Sequence, residues 1–256
     1  MSNEVSKNLK PIYVKVDGRP MNLAVFGSGA GTNLEALLQA QNSSFQITTI
    51  FSDRKCRFLE VGQEQGLSSH HLSFQKFVKE YPGTNQEARE AYDTAILDLL
   101  KDESIDCILL AGYMRLIQKP LLEKFPHRIL NVHPADLTIR DATGNRQFIG
   151  AHGLELALQA GETTTRSTVI LVDPGVDTGS ILVLGPSIPF TEGFPLTPEK
   201  IEQHQMRQKQ ESDWPACKEA ITMIAEGRVS LDTQNRIYID SQLSPKGYAM
   251  EKSVTR

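Results

Sequence analysis

The chain is poor in cysteine. Cys56, Cys107 and Cys217 are odd in number, widely separated and in no CxxC or metal-ligand spacing, so neither a disulfide framework nor a cysteine-held metal organises the fold. We read all three as reduced thiols, two of them in apolar surroundings. Positive charge is also scarce: 27 Lys and Arg against 31 Asp and Glu leave a net charge of −4, with no basic excess to displace counterions along nucleic-acid phosphates. No apolar run approaches the roughly 20 residues that span a bilayer, and the N-terminus lacks the apolar core of a signal peptide. No nucleic acid, no membrane, small-molecule partners and a cytoplasmic location are therefore expected. No linker, internal repeat or low-complexity tract is visible.

What is present is a series of short apolar runs, each ending in polar or glycine-rich text. Asn22-Leu23-Ala24-Val25-Phe26 runs into Gly27-Ser28-Gly29-Ala30-Gly31-Thr32-Asn33-Leu34, and Leu34, Leu37 and Leu38 then recur at helical spacing. Ile47 to Ser52 reads as a strand, Phe58 to Gln65 as a helix closed by Gly66, and His70 to Leu72 as a short strand. A turn at Pro82-Gly83 precedes a helix striped by Ala88, Tyr92, Ile96 and Leu99. Cys107 to Gly112 is a buried-strand run that opens into Tyr113-Met114-Arg115-Leu116-Ile117. This alternation predicts an α/β fold with a doubly wound, mostly parallel sheet. Further on, Ser167 to Val172 and Ile181 to Leu184, joined by a Pro/Gly/Asp loop, predict an antiparallel hairpin added in the C-terminal half. Thr197-Pro198-Glu199 starts a helix, Trp214-Pro215 breaks or bends it, and a second helix covers Ala216 to Ala225. Leu231 to Ile239 reads as a terminal strand or hairpin. We expect one domain over 22–256, with 1–21 as an arm or edge strand carrying the patch Ile12-Tyr13-Val14.

The run around which the rest is arranged is Ile129-Leu130-Asn131-Val132-His133-Pro134. It reads as a buried parallel strand, and ligands of open α/β sheets collect beyond the carboxyl ends of such strands. Asn131 and His133, two apart, face the same way there. An amide that binds a developing oxyanion without titrating, beside an imidazole that carries a proton near neutral pH, suits acyl transfer. The plainer alternative is an ordinary strand end. The glycine-rich turn before a helix offers outward N–H groups and a favourable dipole to an anion. Its spacing fits neither GxGxxG nor a P-loop, so a single phosphate on Gly31, Thr32 and Asn33 is the ligand it suits; a tight turn without a ligand is the other reading.

In order and spacing, these motifs resemble the phosphoribosylglycinamide formyltransferase family from Asn22 to Tyr248. The resemblance rests on the turn from Gly27, on Ala111-Gly112-Tyr113-Met114-Arg115, on Asn131-Val132-His133-Pro134, on the loop Asp173 to Gly179, and on Ser244-Pro245-Lys246-Gly247-Tyr248. It implies a Rossmann-like formyltransferase fold and transfer of a formyl group from 10-formyltetrahydrofolate, a co-substrate, to the amine of 5-phosphoribosylglycinamide in purine biosynthesis, with no metal. It also implies a catalytic trio of Asn131, His133 and Asp177, a substrate phosphate on Gly31, Thr32 and Asn33, and folate contacts from Arg89, Met114, Arg115, Leu116, Ile117, Asp173 and Val176. In that scheme Asp177 raises the His133 pKa and the imidazole is protonated.

Three departures stand out. After His133-Pro134 the family's short Ser-Leu-Leu-Pro loop is replaced by Ala135-Asp136-Leu137-Thr138 and a polar insertion up to Gln147, which we expect to be a mobile lid from which Arg140 or Arg146 reaches an anionic substrate. Ile170 stands where many members carry histidine. The family's substrate-binding Glu, five residues before Pro, falls on Gln210, with Glu211 beside it. Another amine acceptor, hydrolysis of the formyl folate, and non-catalytic folate or phosphate binding are the competing readings.

Overall fold

A computed structural model describes residues 9–251; the rest of the expected arm, residues 1–8, lies outside them. The chain forms two compact units interleaved in sequence, one of Lys15–Asn131 with Val172–Gly175, the other of the described part of Met1–Val14, Val132–Leu171 and Val176–Arg256. A two-residue strand, β1 (Lys10–Pro11), opens the described chain.

The first unit alternates strands and helices, as the apolar runs require: β2 (Met21–Phe26), α1 (Thr32–Ala40), β3 (Phe45–Ser52), α2 (Arg57–Glu64), β4 (Ser68–His71), α3 (Phe74–Glu80), α4 (Asn85–Leu99), β5 (Cys107–Leu110), α5 (Lys119–Lys124) and the start of β6 (Ile129–His133). The strands lie parallel in the order β6-β5-β2-β3-β4. The fully buried central strand β2 carries no alternation, because both of its faces are covered. Ala24 and Phe26 pack with Ile108, Leu110 and Ile129 against Tyr92 and Ile96 of α4 and Leu121 of α5. On the other face Gly62 of α2 lies directly against Ile50, and Phe58 of the same helix against Gly27. Helices α3 and α5, of seven and six residues, are too short to show a periodic stripe and are not legible in the sequence.

Helix α4 starts at a capping box of Thr84 and Glu87 and buries one carboxyl, Asp93, which is 3% exposed. Asp93 accepts a bond from the Gln118 backbone N–H at 2.6 Å, yet burial pushes its pKa up to about 7. The folded state therefore binds a proton that the unfolded chain, near pKa 3.8, releases, so this group's contribution to stability falls as pH rises from about 4 to 7. Asn at this position still accepts from Gln118. Asp93→Asn is expected to raise the unfolding temperature at pH 8, with the gain shrinking steadily as pH is lowered toward 4. A gain that does not vary with pH would assign the effect to packing.

The second unit takes up the end of β6 and adds α6 (Gly153–Gln159), β7 (Thr164–Thr165), β8 (Thr168–Leu171), β9 (Ile181–Leu184), β10 (Ile188–Pro189), α7 (Pro198–Gln208), α8 (Trp214–Ala225), β11 (Val229–Leu231), β12 (Ile237–Ile239), β13 (Gln242–Leu243) and β14 (Tyr248–Ala249). The expected hairpin is β8 and β9, paired antiparallel. Ile170 of β8 packs with Leu137, Ile181 and Leu184. β11 and β12 form the terminal hairpin, and β1 pairs with β11, which makes part of the arm an edge strand. The expected break at Trp214-Pro215 is corrected. Lys209–Asp213 is a single π turn, closed by the Trp214 N–H donating to the Lys209 carbonyl, and α8 begins at Trp214. Pro215 is the second residue of α8, directly after that turn, whose extra residue interrupts the α pattern.

Candidate active site

In the first unit β2 delivers the chain into the glycine-rich turn. Gly31 has φ +83°, a conformation open to glycine at no steric cost, and caps α1 without any side-chain bond. Gly31 and the first two residues of α1, Thr32 and Asn33, are half-buried at this turn. The turn is braced from α2, where the Phe58 N–H donates to the Gly29 carbonyl at 3.1 Å. Beside it, the Ser28 N–H donates to the Gly112 carbonyl at 3.2 Å, and the Met114 N–H donates to Ser28 Oγ at 3.1 Å.

Residues 114–117 divide by side-chain direction. Met114 and Leu116 are exposed, whereas Ile117 belongs to the core. Arg115 is used internally: its Nε donates to Asp53 Oδ2 at 2.7 Å and its guanidinium lies 4.5 Å from the Phe74 ring centroid. Burial pushes the Asp53 carboxyl up, but bonds from Ser28, Arg115 and Arg54 outweigh it and hold the group below its usual value. Arg89 is exposed on α4. Asp173 accepts from the Gly175 N–H at 3.1 Å, and the Val172 N–H donates to the Ile129 carbonyl at 2.8 Å, tying this stretch to β6. Asn131 is half-buried on β6, opposite Leu110 in register.

In the second unit His133, only 3% exposed, is the last residue of β6. Its Nε2 lies 2.6 Å from the Phe148 carbonyl and its Nδ1 3.3 Å from Asp177 Oδ2. A carbonyl only accepts, so Nε2 bears a proton and donates to Phe148, while Nδ1 faces the Asp177 carboxyl. Burial pulls the imidazole below its ordinary pKa; Asp177 and the Phe148 carbonyl pull it upward, and Arg146 pulls it down. Asp177 thus acts in the anticipated direction, against the larger effect of desolvation. A proton on Nδ1 faces the Asp177 carboxyl, which favours it.

Asp177 is itself held in place. Its Oδ2 accepts from the Gly150 N–H at 2.7 Å, and its φ of +51° is one that residues other than glycine seldom adopt. The exposed Val176 precedes it. The insertion expected as a mobile lid is braced by its own hydrogen bonds. Asp136 Oδ1 accepts from the Thr138 N–H at 2.8 Å, Asp141 Oδ1 from the N–H groups of Thr143 and Asn145 at 2.8 and 3.0 Å, and the Gln147 N–H donates to the Ile139 carbonyl at 3.2 Å. Polar side chains that offer little apolar area still order a loop when they satisfy its backbone.

The strand end is also clamped from behind. Thr168 Oγ1 donates to the Ala135 carbonyl at 2.7 Å and accepts from the Leu137 N–H at 3.1 Å, while Gln208 Nε2 donates to the Pro134 carbonyl at 2.9 Å. Gln210 and Glu211 point to solvent on the π turn. The extra residue of that turn separates them from Gln208, which sequence spacing did not single out and which faces inward at 1% exposure. Gly153 was also missed. A Cβ there would lie 2.6 Å from His133 Nε2 and 2.8 Å from the Phe148 carbonyl oxygen. Among the described residues no group of three or more His, Cys, Asp or Glu could hold a metal ion, and no helix is long and apolar enough to cross a membrane.

The profile of the formyl transferase family matches residues 21–210. The phosphoribosylglycinamide formyltransferase of Mycobacterium tuberculosis is 34% identical over 176 residues, 68% of this chain and 74% of that protein. The crystal structure of glycinamide ribonucleotide transformylase 1 from Symbiobacterium toebii superposes with a TM-score of 0.71 at 30% identity, covering 89% of this chain and 97% of the other. The trifunctional purine biosynthetic protein adenosine-3 of Drosophila melanogaster is 29% identical over 82% of this chain, which spans 14% of that protein's length; in Drosophila pseudoobscura pseudoobscura the corresponding share is 12%. On these matches the chain belongs to the formyl transferase family, among its phosphoribosylglycinamide formyltransferases.

Proposed function

We propose that the chain transfers the formyl group of 10-formyltetrahydrofolate to the amine of 5-phosphoribosylglycinamide, in the cytoplasmic synthesis of purines. The observation that carries this reading is the buried His133–Asp177 pair at the end of the strand that also bears Asn131. In the reaction the amine nitrogen bonds to the formyl carbon, negative charge builds on the former carbonyl oxygen, and the bond from that carbon to the folate N10 breaks. Asn131 supplies an uncharged donor to the oxyanion, worth up to about 3–4 kcal/mol when well aimed. The His133–Asp177 pair takes the proton released by the amine and returns it to N10, the imidazolium being stabilised by the carboxylate while it lasts. Gly31, Thr32 and Asn33 hold the substrate phosphate. Folate is bound by Met114, Leu116 and Val176, which offer exposed apolar surface, by Arg89, by the backbone of Arg115 and Ile117, and by Asp173. A second reading, the same donor with a different amine, is favoured by the solvent-facing Gln210 and Glu211 and by apolar Ile170.

The phosphate site gives the sharper test. The dephosphorylated glycinamide riboside is expected to bind at least about a hundredfold more weakly than the nucleotide, since several N–H bonds to a charged group are lost, and inorganic phosphate should compete with the nucleotide. Equal affinities for the two forms would make the glycine-rich turn a structural feature only.

A further inference from the structure

We propose that Arg146, from the insertion that replaces the family's short loop, is a positioning residue that holds the Asp177 turn in its unusual conformation and so sets the geometry of the His133–Asp177 pair. This rests on the active-site reading above. The guanidinium reaches both carbonyls that bracket the turn: Nη1 donates to the Asp177 carbonyl and Nη2 to the Gly179 carbonyl, the latter at 2.8 Å. A planar fork can span two acceptors at once, which a single ammonium cannot do in the same geometry. Asp177 stands at φ +51°, so its backbone needs support from outside the turn.

The same short segment makes two further contacts to the pair. The Phe148 carbonyl accepts from His133 Nε2, and the Gly150 N–H donates to Asp177 Oδ2. Within five residues, one loop fixes the imidazole tautomer, orients the carboxylate and anchors the backbone beneath it. Arg146 is in turn held at the base of its own hairpin, where Arg140 and Arg146 form a β-bridge and Asp141 bonds across the tip. The insertion therefore acts as a template for the pair. Arg146 is turned to the protein's own carbonyls.

Arg146→Met and Arg146→Lys, each alone and combined with Asp177→Asn in the full chain, test this. Arg146→Met is expected to lower kcat about tenfold, the scale of a small misplacement of a catalytic group, with KM for the formyl folate within about twofold and the unfolding temperature little changed. Lysine should not rescue, because it restores charge without the fork. In the Asp177→Asn background Arg146→Met should cost less than about twofold more, since a residue acting through Asp177 has nothing left to position. Wild-type kcat in Arg146→Met, full rescue by lysine, or losses that multiply independently of Asp177 each overturn the clamp. Full activity in Asp177→Asn alone overturns the active-site reading, and the clamp with it, which separates the two failures.

Discussion

Replacing His133 by alanine is expected to lower formyl-transfer turnover at least about a hundredfold, the scale of removing one acid or base or one oxyanion donor. Asn131→Ala should fall in the same range. The ring is buried with both nitrogens engaged, so alternative proton carriers cannot enter its position from solvent without reordering the strand end. The fold should persist, because the strand is held by its ladder to β5 and by the Thr168 and Gln208 clamps rather than by the imidazole. Losing the partner of the Phe148 carbonyl should cost about 1–3 kcal/mol of stability. Initial rates of tetrahydrofolate formation, read with a thermal unfolding curve, check both parts. Near-normal turnover in either variant removes these residues from the catalytic site.

Gly153→Ala is expected to lower turnover at least about tenfold, again through the placement of a catalytic group. The added methyl would sit 2.6 Å from His133 Nε2 and 2.8 Å from the Phe148 oxygen, inside ordinary contact distance, so ring, carbonyl or helix start must shift. Any of those shifts disturbs the 2.6 Å bond that fixes the tautomer. Helix propensity argues the other way, since alanine is favoured over glycine by up to about 1 kcal/mol inside a helix. A fall in kcat with little loss of stability separates the two effects; wild-type kcat would show that the site accommodates the methyl.

The strands and their ends were legible because burial writes itself into composition. The runs at Leu23 to Phe26, Cys107 to Leu110 and Ile129-Leu130 are apolar because both faces are covered, and Asn131 and His133 are polar because the strand ends there. The β8–β9 hairpin was legible from its Pro/Gly/Asp loop. What escaped is carried by groups with no side-chain signature. The Phe148 carbonyl and the Gly150 N–H are backbone atoms, which no side chain at those positions announces. Gly153 reads as an indifferent helix residue until the imidazole above it is seen. The π turn at Lys209–Asp213 adds a residue that no count from Pro215 reveals, so spacing pointed to Gln210 and Glu211 while Gln208 turned inward. The direction of the His133 pKa shift required knowing its burial, because a carboxylate partner and desolvation push it in opposite directions. The internal bonding of the insertion escaped for a related reason: its aspartates and Arg146 looked like solvated loop chemistry, and their use as hydrogen-bond partners depends on a turn geometry that composition does not contain.

The central claim is that this site moves a formyl group from folate to the amine of a phosphorylated glycinamide. Its most direct test is incubation of the full chain with 10-formyltetrahydrofolate and, in parallel, 5-phosphoribosylglycinamide, an amino sugar nucleotide, or no amine, following tetrahydrofolate release and the fate of the formyl carbon by mass spectrometry. The expected result is rapid formylation of 5-phosphoribosylglycinamide, abolished by His133→Ala, with little formate in the absence of an amine. Formylation of another amine but not of this one, or formate as the sole product, would contradict it.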